Sequence, residues 1–241
     1  MTKRRIDSLM VNRGLVDSRA KAQVIIMAGE VAVAGQAITK PGTLVADEAV
    51  ITILEPPPFV SRGGVKLNYA LDQLQLDVSS KVVADIGAST GGFTDCLLKR
   101  GANRVYAIDV GYGQLDYHLR RDSRVVVIDR VNARYPISLP EKVDLATIDV
   151  SFISVEKVIP SVAMLVKDNG YLLALIKPQF EAKRREVGKG GVIKQPIVHA
   201  LVLGRFIAWM IDHSFRLSGL VASPILGASG NKEFFFLPGL P

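Results

Sequence analysis

A single cysteine, Cys96, stands in 241 residues, so the chain can form no internal disulfide. The three histidines, His118, His199 and His213, have no metal-ligand spacing with it or with one another, and no structural zinc is expected. Long apolar runs are missing as well. No stretch reaches the roughly 18 uncharged apolar residues that a membrane helix needs, and "MTKRRIDS" passes from basic to amphipathic without the apolar core of a signal segment. A cytoplasmic location with no membrane insertion is the expectation. Acidic residues are in deficit, 23 against 30 Lys and Arg, and the resulting net charge of +7 favours acidic partners such as nucleic acid, though a membrane surface would be attracted too.

What is present is apolar: 49% of the residues are hydrophobic, enough to bury the core of one large domain or two unequal ones. The first 54 residues read as a small α+β unit. Helices over about Arg4 to Asn12 and Ser18 to Ala28 precede short strands around Val31 to Val33 and Ala49 to Leu54. Asp17 or Ser18 can cap the second helix and Gly29 can end it. "EPPP" (Glu55 to Pro58) stiffens the chain and interrupts any helix or strand, which sets a boundary between residues 1–58 and 59–241.

Beyond a helix near Lys66 to Leu76, apolar strands alternate with helical segments, the pattern of an α/β domain whose mostly parallel sheet is covered on both faces. "KVVADIG" delivers Asp85, "RVYAIDVG" Asp109, "RVVVIDR" Asp129, "VDLATIDVS" Asp149 and "YLLALIKPQF" Lys177. Any one of these reads equally well as a solvated strand end. Five in register on one edge, where open α/β sheets bind ligands, point to a site.

"ADIGASTGGFTD" (Ala84 to Asp95) joins the first of these strands to a helix through a small-residue turn, Gly87, Ala88, Ser89, Thr90, Gly91, Gly92 and Phe93. Its glycines let backbone amides face a ligand at a helix N-terminus. The spacing is neither G-x-G-x-x-G nor a Walker loop, which argues against a dinucleotide or a nucleoside triphosphate. Asp109, 22 residues after Gly87, suits the ribose hydroxyls of an adenosine-containing cofactor. Together these features resemble the S-adenosylmethionine-dependent methyltransferases, whose cofactor would lie against Asp85, Asp109, Asp129, Asp149 and the turn.

Near the C-terminus "GASGNKEFFFLP" holds a turn and a short strand opening with Glu233. If that last strand runs antiparallel, Glu233 faces Asp149 and Lys177, and Lys66 of "SRGGVKLNYALD" can close the group. A ribose hydroxyl is a poor nucleophile until it loses its proton, and a lysine can accept that proton if burial or a neighbouring cation lowers its pKa. Lys177 is assigned as acceptor with Asp149 bonded to it, and Lys66 and Glu233 orient the hydroxyl and the base.

The stretches "RIDSLMVNRGLVDSRAKAQVIIMAGEVAV", "SRGGVKL", "DIGASTGGFTDCLL", "ATIDVSFIS", "IKPQFEA" and "VGKGGVI" make nearly the whole chain similar to the TlyA family, also called haemolysin A. That resemblance implies an N-terminal RNA-binding domain of the ribosomal-protein-S4 type and an FtsJ-like ribose 2′-O-methyltransferase domain. The latter would have a Rossmann-like sheet of seven strands, mostly parallel with the last antiparallel. The family's Lys-Asp-Lys-Glu set falls on Lys66, Asp149, Lys177 and Glu233. S-adenosylmethionine is the implied cofactor, and cytidines in ribosomal RNA the implied substrates. The chain starts and ends close to its motifs, as in the shorter members, which implies the large subunit. It departs from the family at Leu226, Ala228 and Ser229, where a proline and a lysine are usual, and this implies a missing phosphate contact.

For RNA engagement the first 60 residues carry only seven basic against six acidic residues, so placement matters more than the sum. Lys3, Arg4, Arg5, Arg13, Arg19 and Lys21 fall on or beside the two helices and can read RNA shape and phosphates, although an ordinary solvated face would look the same. Arg62 lies beside the catalytic helix. "EAKRREVGKGGVIK" places Lys183, Arg184, Arg185 and Lys189 just after Lys177 and reads as a mobile loop that clamps the target nucleotide. Three rivals stand beside this reading: a membrane-active cytolysin, a base methyltransferase with Phe152 of "DVSF" stacked on a base, and a non-catalytic ribosome-binding factor.

Overall fold

The computed structural model describes residues 3–54, 57–227 and 229–240, apart from the side chain of Lys189; Glu55 and Pro56 of the linker and the family-departing Ala228 lie outside the described residues. The chain divides into two compact units, Met1–Pro57 and Pro58–Pro241.

The first unit runs β1 (Lys3–Arg5), α1 (Ile6–Asn12), α2 (Arg19–Met27), β2 (Val31–Val33), β3 (Gln36–Ala37), β4 (Leu44–Ala46) and β5 (Ile51–Ile53). Arg4 and Arg5 are not helical as expected; with Lys3 they pair antiparallel with Leu44–Ala46. The helix starts only at Ile6, with the buried Asp7 in its first turn, where a carboxylate complements the helix dipole. Ser18 Oγ caps α2 by accepting the Lys21 amide at 3.2 Å, and Gly29 follows the helix in the left-handed conformation. Ile6, Met10, Ala22, Ile26, Val31 and Val45 form the unit's own core.

The second unit runs α3 (Arg62–Gln73), β6 (Val82–Ile86), α4 (Gly92–Lys99), β7 (Arg104–Asp109), α5 (Tyr117–Arg121), β8 (Val125–Asp129), β9 (Val143–Ile148), α6 (Ile159–Ala163), β10 (Val166–Ile176), α7 (Pro178–Glu181), α8 (Pro196–Asp212), β11 (Arg216–Ala222) and β12 (Phe234–Gly239). Its seven-stranded sheet has the order β11-β12-β10-β9-β6-β7-β8. Strands β6 to β10 are mutually parallel, and β12 is antiparallel to both of its neighbours. Helix α3 begins four residues before Lys66, and α8 begins at Pro196, because a proline fits the first helical position, where no amide is needed.

Burial on both faces explains why the strands read as unbroken apolar runs. In β10, Leu173 and Leu175 pack with Leu67, Phe93 and Leu97 of α3 and α4. Leu172, Ala174 and Ile176 point the other way, into Phe206 and Met210 of α8.

Candidate active site

Strand register brings the reactive groups to one edge. Asp109 pairs with Asp129 at the ends of β7 and β8, and Asp149 immediately follows Ile148, which is level with Ile86 and Ala174. Lys177 leaves β10 on the same edge, and Pro178 at the first position of α7 ends the strand there. Because β12 runs the opposite way and its Phe234 pairs with Ile176, Glu233 arrives beside Lys177. It sits just ahead of the strand rather than within it.

The four residues form two ion pairs. Lys177 Nζ lies 2.6 Å from Asp149 Oδ1 and donates to Ser151 Oγ at 2.8 Å. Lys66 Nζ donates to Glu233 Oε2 at 2.6 Å, both side chains being buried. Asp149 borders two adjoining hollows. The larger, about 450 Å³, is walled by Gly87, Ser89, Asp109 and the apolar side chains of Ile108, Val110 and Val131; the smaller, about 140 Å³, holds Lys66, Ala88, Thr90, Gly92 and Phe93.

The turn after β6 owes its shape to packing as well as to ligand access. Gly87 has φ +83°, and a Cβ there would lie 2.4 Å from the Asp149 carbonyl oxygen, so glycine is what lets this turn pass the strand that carries Asp149. Asp109 is held by two amides, Ser89 N–H at 2.8 Å and Gly111 N–H at 2.7 Å, which fix its carboxylate at the cleft wall.

Three expected cofactor residues are placed differently. Asp85 lies inside β6, one position before its end, because the strand runs on to Ile86. It has no solvent exposure and lines neither hollow; it accepts from Thr94 Oγ1 at 2.7 Å and Thr147 Oγ1 at 3.1 Å. Burial pushes its carboxyl up to about 7, against the pull of those two hydroxyls. Asp129 is engaged by Arg120 at 2.9 Å, a bond that holds it below the usual carboxylate range, and it lines neither hollow. Gly91 caps α4 and faces Leu115 and Leu119.

The sequence reasoning missed Ser151, Val110, Val131 and Asn132, all on the cleft or its lysine. A usable signal existed: residues one to three positions past a parallel strand end share its rim, and Asn132 follows β8 by three. Phe152 is 91% exposed with φ +65°, its ring 5.2 Å from that of Phe180. The loop behind it is tied by Glu181, which accepts the Val155 amide at 2.8 Å and whose carboxyl is pushed up by burial.

The cations assigned to RNA fall into two groups. Arg5 and Arg19 are bonded to Asp7, Arg4 pairs with Asp47, Lys21 with Asp17, and Arg62 donates to the Leu226 carbonyl at 2.8 Å. Lys3, Lys183, Arg184 and Arg185 are exposed, and none has an ion pair among the described residues; the Lys189 side chain lies outside them. The segment after Lys177, expected to clamp the target nucleotide, carries local structure of its own. It folds into short turns, with Glu186 gripped at 2.9 and 2.7 Å by both terminal nitrogens of Arg205 on α8. A length of charged and glycine residues hides this, because the partners lie far along the chain.

Comparison with known proteins agrees with this architecture. The FtsJ-like methyltransferase family model matches residues 59–239, and the S4 domain model matches residues 4–51. A Bacillus subtilis protein named "Putative rRNA methyltransferase YqxC" is 46% identical, over 96% of this chain and 84% of its own. The Mycobacterium tuberculosis protein named 16S/23S rRNA (cytidine-2'-O)-methyltransferase TlyA is 42% identical, over 96% and 88%. A solved structure titled "Putative hemolysin from Streptococcus thermophilus" superposes with a TM-score of 0.75 at 41% identity, covering 99% of this chain and 88% of that one. With its FtsJ-type sheet, an S4 domain in its first 51 residues and relatives of this identity over almost its full length, the chain belongs to the FtsJ-like methyltransferases of the TlyA type.

Proposed function

We propose that the protein is a cytoplasmic rRNA methyltransferase that transfers a methyl group from S-adenosylmethionine to the ribose 2′-hydroxyl of a cytidine, with large-subunit RNA the favoured substrate. The observation that carries this reading is that two lysine–carboxylate pairs, Lys177–Asp149 and Lys66–Glu233, lie on one sheet edge beside the two hollows that Asp149 borders. The names of the relatives in Bacillus subtilis and Mycobacterium tuberculosis support it.

The cleft suits the cofactor. Its size is that of a small-molecule site; Ile108, Val110 and Val131 offer apolar walls to an adenine, and Asp109, fixed by two amides, presents remaining lone pairs to ribose hydroxyls. When bound, S-adenosylmethionine supplies an electrophilic methyl group on a sulfonium. The protein supplies the rest. Lys177 Nζ, once it has given up a proton of its own, accepts the 2′-hydroxyl proton, held in place by Asp149 and Ser151. The Lys66–Glu233 pair orients the hydroxyl from the other side, and positioning of this kind is worth several orders of magnitude in rate. The exposed ring of Phe152 offers the target base a stacking surface. Among the described residues no helix is long and apolar enough to cross a membrane, and α8, the most apolar, carries Arg205 and ends at Asp212.

The test is transfer of labelled methyl groups to isolated small subunits, large subunits and naked rRNA, with nucleoside mass spectrometry to separate a ribose mark from a base mark. Lys177→Ala should keep cofactor and RNA affinity and lose transfer. Substantial residual activity, or a methyl group on the base, would overturn the assignment.

A further inference from the structure

The two ion pairs are carried by segments far apart in sequence, and one side chain joins those segments. After Lys177 the chain runs through α7 and a glycine-containing stretch to Ile193; Glu233 is reached from the other direction, two residues after Asn231. Asn231 is 1% exposed. Its Oδ1 accepts the Ile193 N–H at 2.9 Å, and its Nδ2 donates to the Gly191 carbonyl at 2.9 Å. The partners have opposite polarity, so they fix which way the amide faces. Gly190 and Gly191 both lie in the left-handed region, at φ +77° and +76°, and this turn sets the Gly191 C=O and the Ile193 N–H on one side. Ile193 is buried against Val198 and Val202 of α8, and the carbonyl of Asn231 accepts the Gly227 amide at 2.8 Å. The clamp is thus anchored at both of its ends.

We propose that Asn231 is a positioning residue for methyl transfer. Its amide fastens the turn at residues 188–193 to the entrance of β12 and thereby sets the separation between Lys177–Asp149 and Lys66–Glu233, between which the ribose hydroxyl sits. The role rests on the methyltransferase reading above. An amide both donates and accepts at this length whatever the pH; a carboxylate accepts at both atoms and would set an oxygen against the Gly191 carbonyl. A protonated carboxyl, by contrast, restores one donor and one acceptor.

Asn231→Asp therefore tests the clamp with almost no change of shape. At about pH 8 kcat on rRNA should fall about 10- to 100-fold, the scale of a misplacement near 1 Å, while S-adenosylmethionine affinity stays at the wild-type value. Lowering the pH to about 6 should raise the ratio of variant to wild-type kcat, as the carboxyl regains its proton. Hydrogen exchange across residues 188–193 of the full chain, compared at one pH, should be faster in the variant, and this arm needs no turnover. Unchanged exchange, a kcat within about twofold of wild type, a pH-independent ratio, or a loss of cofactor affinity in step with kcat would each overturn the proposal. A wild-type protein that methylates no rRNA would instead sink the functional reading and leave the exchange arm to judge the clamp.

Discussion

A carboxyl group without solvent exposure sits beneath the cofactor turn at Asp85, between the hydroxyls of Thr94 and Thr147. Its folded-state value of about 7 lies well above the roughly 3.9 of an unfolded chain, so the folded protein keeps a proton that the unfolded chain releases. The sign follows from linkage: the stabilisation is complete below about pH 4 and is lost as pH rises through 7. Asp85→Asn keeps the shape and can bond both threonines without a charge. Its stability relative to wild type should therefore climb between about pH 4 and 7, by an amount on the order of a few kcal/mol. A pH-independent difference in differential scanning calorimetry would show that Asp85 is already ionised in the folded state. The residue also shows where sequence reading fails: "KVVADIG" announces a charge near a strand end but not whether the strand runs one residue further, and that residue decides between cleft wall and buried support. Lys66 and Glu233, 167 positions apart, are paired by the fold; the direction of the last strand placed them in one group in advance but did not show that they bond to each other.

At the scale of elements, legibility followed range. The five parallel strands were readable because burial on both faces makes each an apolar run. Of the two- and three-residue strands, the apolar β2 and β5 were read but β1, β3 and β4 were not, since such lengths show no period and Lys3–Arg5, all basic, is extended beside a distant partner, Leu44–Ala46. Asp7 makes that junction. It accepts from Arg5 at 3.1 and 2.9 Å, from Arg19 at 3.0 Å, from Gln23 at 3.2 Å and from the Ser8 amide at 2.8 Å, and the Arg5 bonds hold its carboxyl well below the usual range. Asp7→Ala strands these donors, but both arginines are about half exposed and recover some solvation, so a loss of about 2 kcal/mol is expected for this unit. The wild-type contribution should persist above about pH 4 and fade as the pH drops below it, because the depressed group must then take up a proton to unfold. Thermal unfolding of the two proteins at about pH 7 and pH 3 should show the gap closing in acid; an equal gap at both would mean that packing, not charge, is what Asp7 supplies.

At the scale of the whole molecule, the net charge of +7 is unevenly usable. With seven basic and six acidic residues in the first 60, nearly all the excess lies beyond them. There, many cations are already neutralised: Arg104 by Glu141 at 2.8 Å, Arg120 by Asp129, Arg124 by Asp122, Arg205 by Glu186. A cation that must leave a carboxylate to meet a phosphate gains little, whereas Arg184 and Arg185, exposed without an ion pair among the described residues and close in sequence to Lys177, can displace RNA counterions outright. Replacing both with Ala should lower the slope of log affinity against log salt by roughly 1.4 to 1.8, at about 0.7 to 0.9 for each phosphate that is no longer neutralised. S-adenosylmethionine affinity should stay unchanged, because neither side chain lines the cofactor cleft. Arg104→Ala removes one formal charge from the same unit but only from within a pair, and should leave the slope nearly where it was. If Arg104→Ala flattens the slope per charge as much as the double substitution does, the RNA responds to the summed field of the protein and not to the cations close in sequence to Lys177.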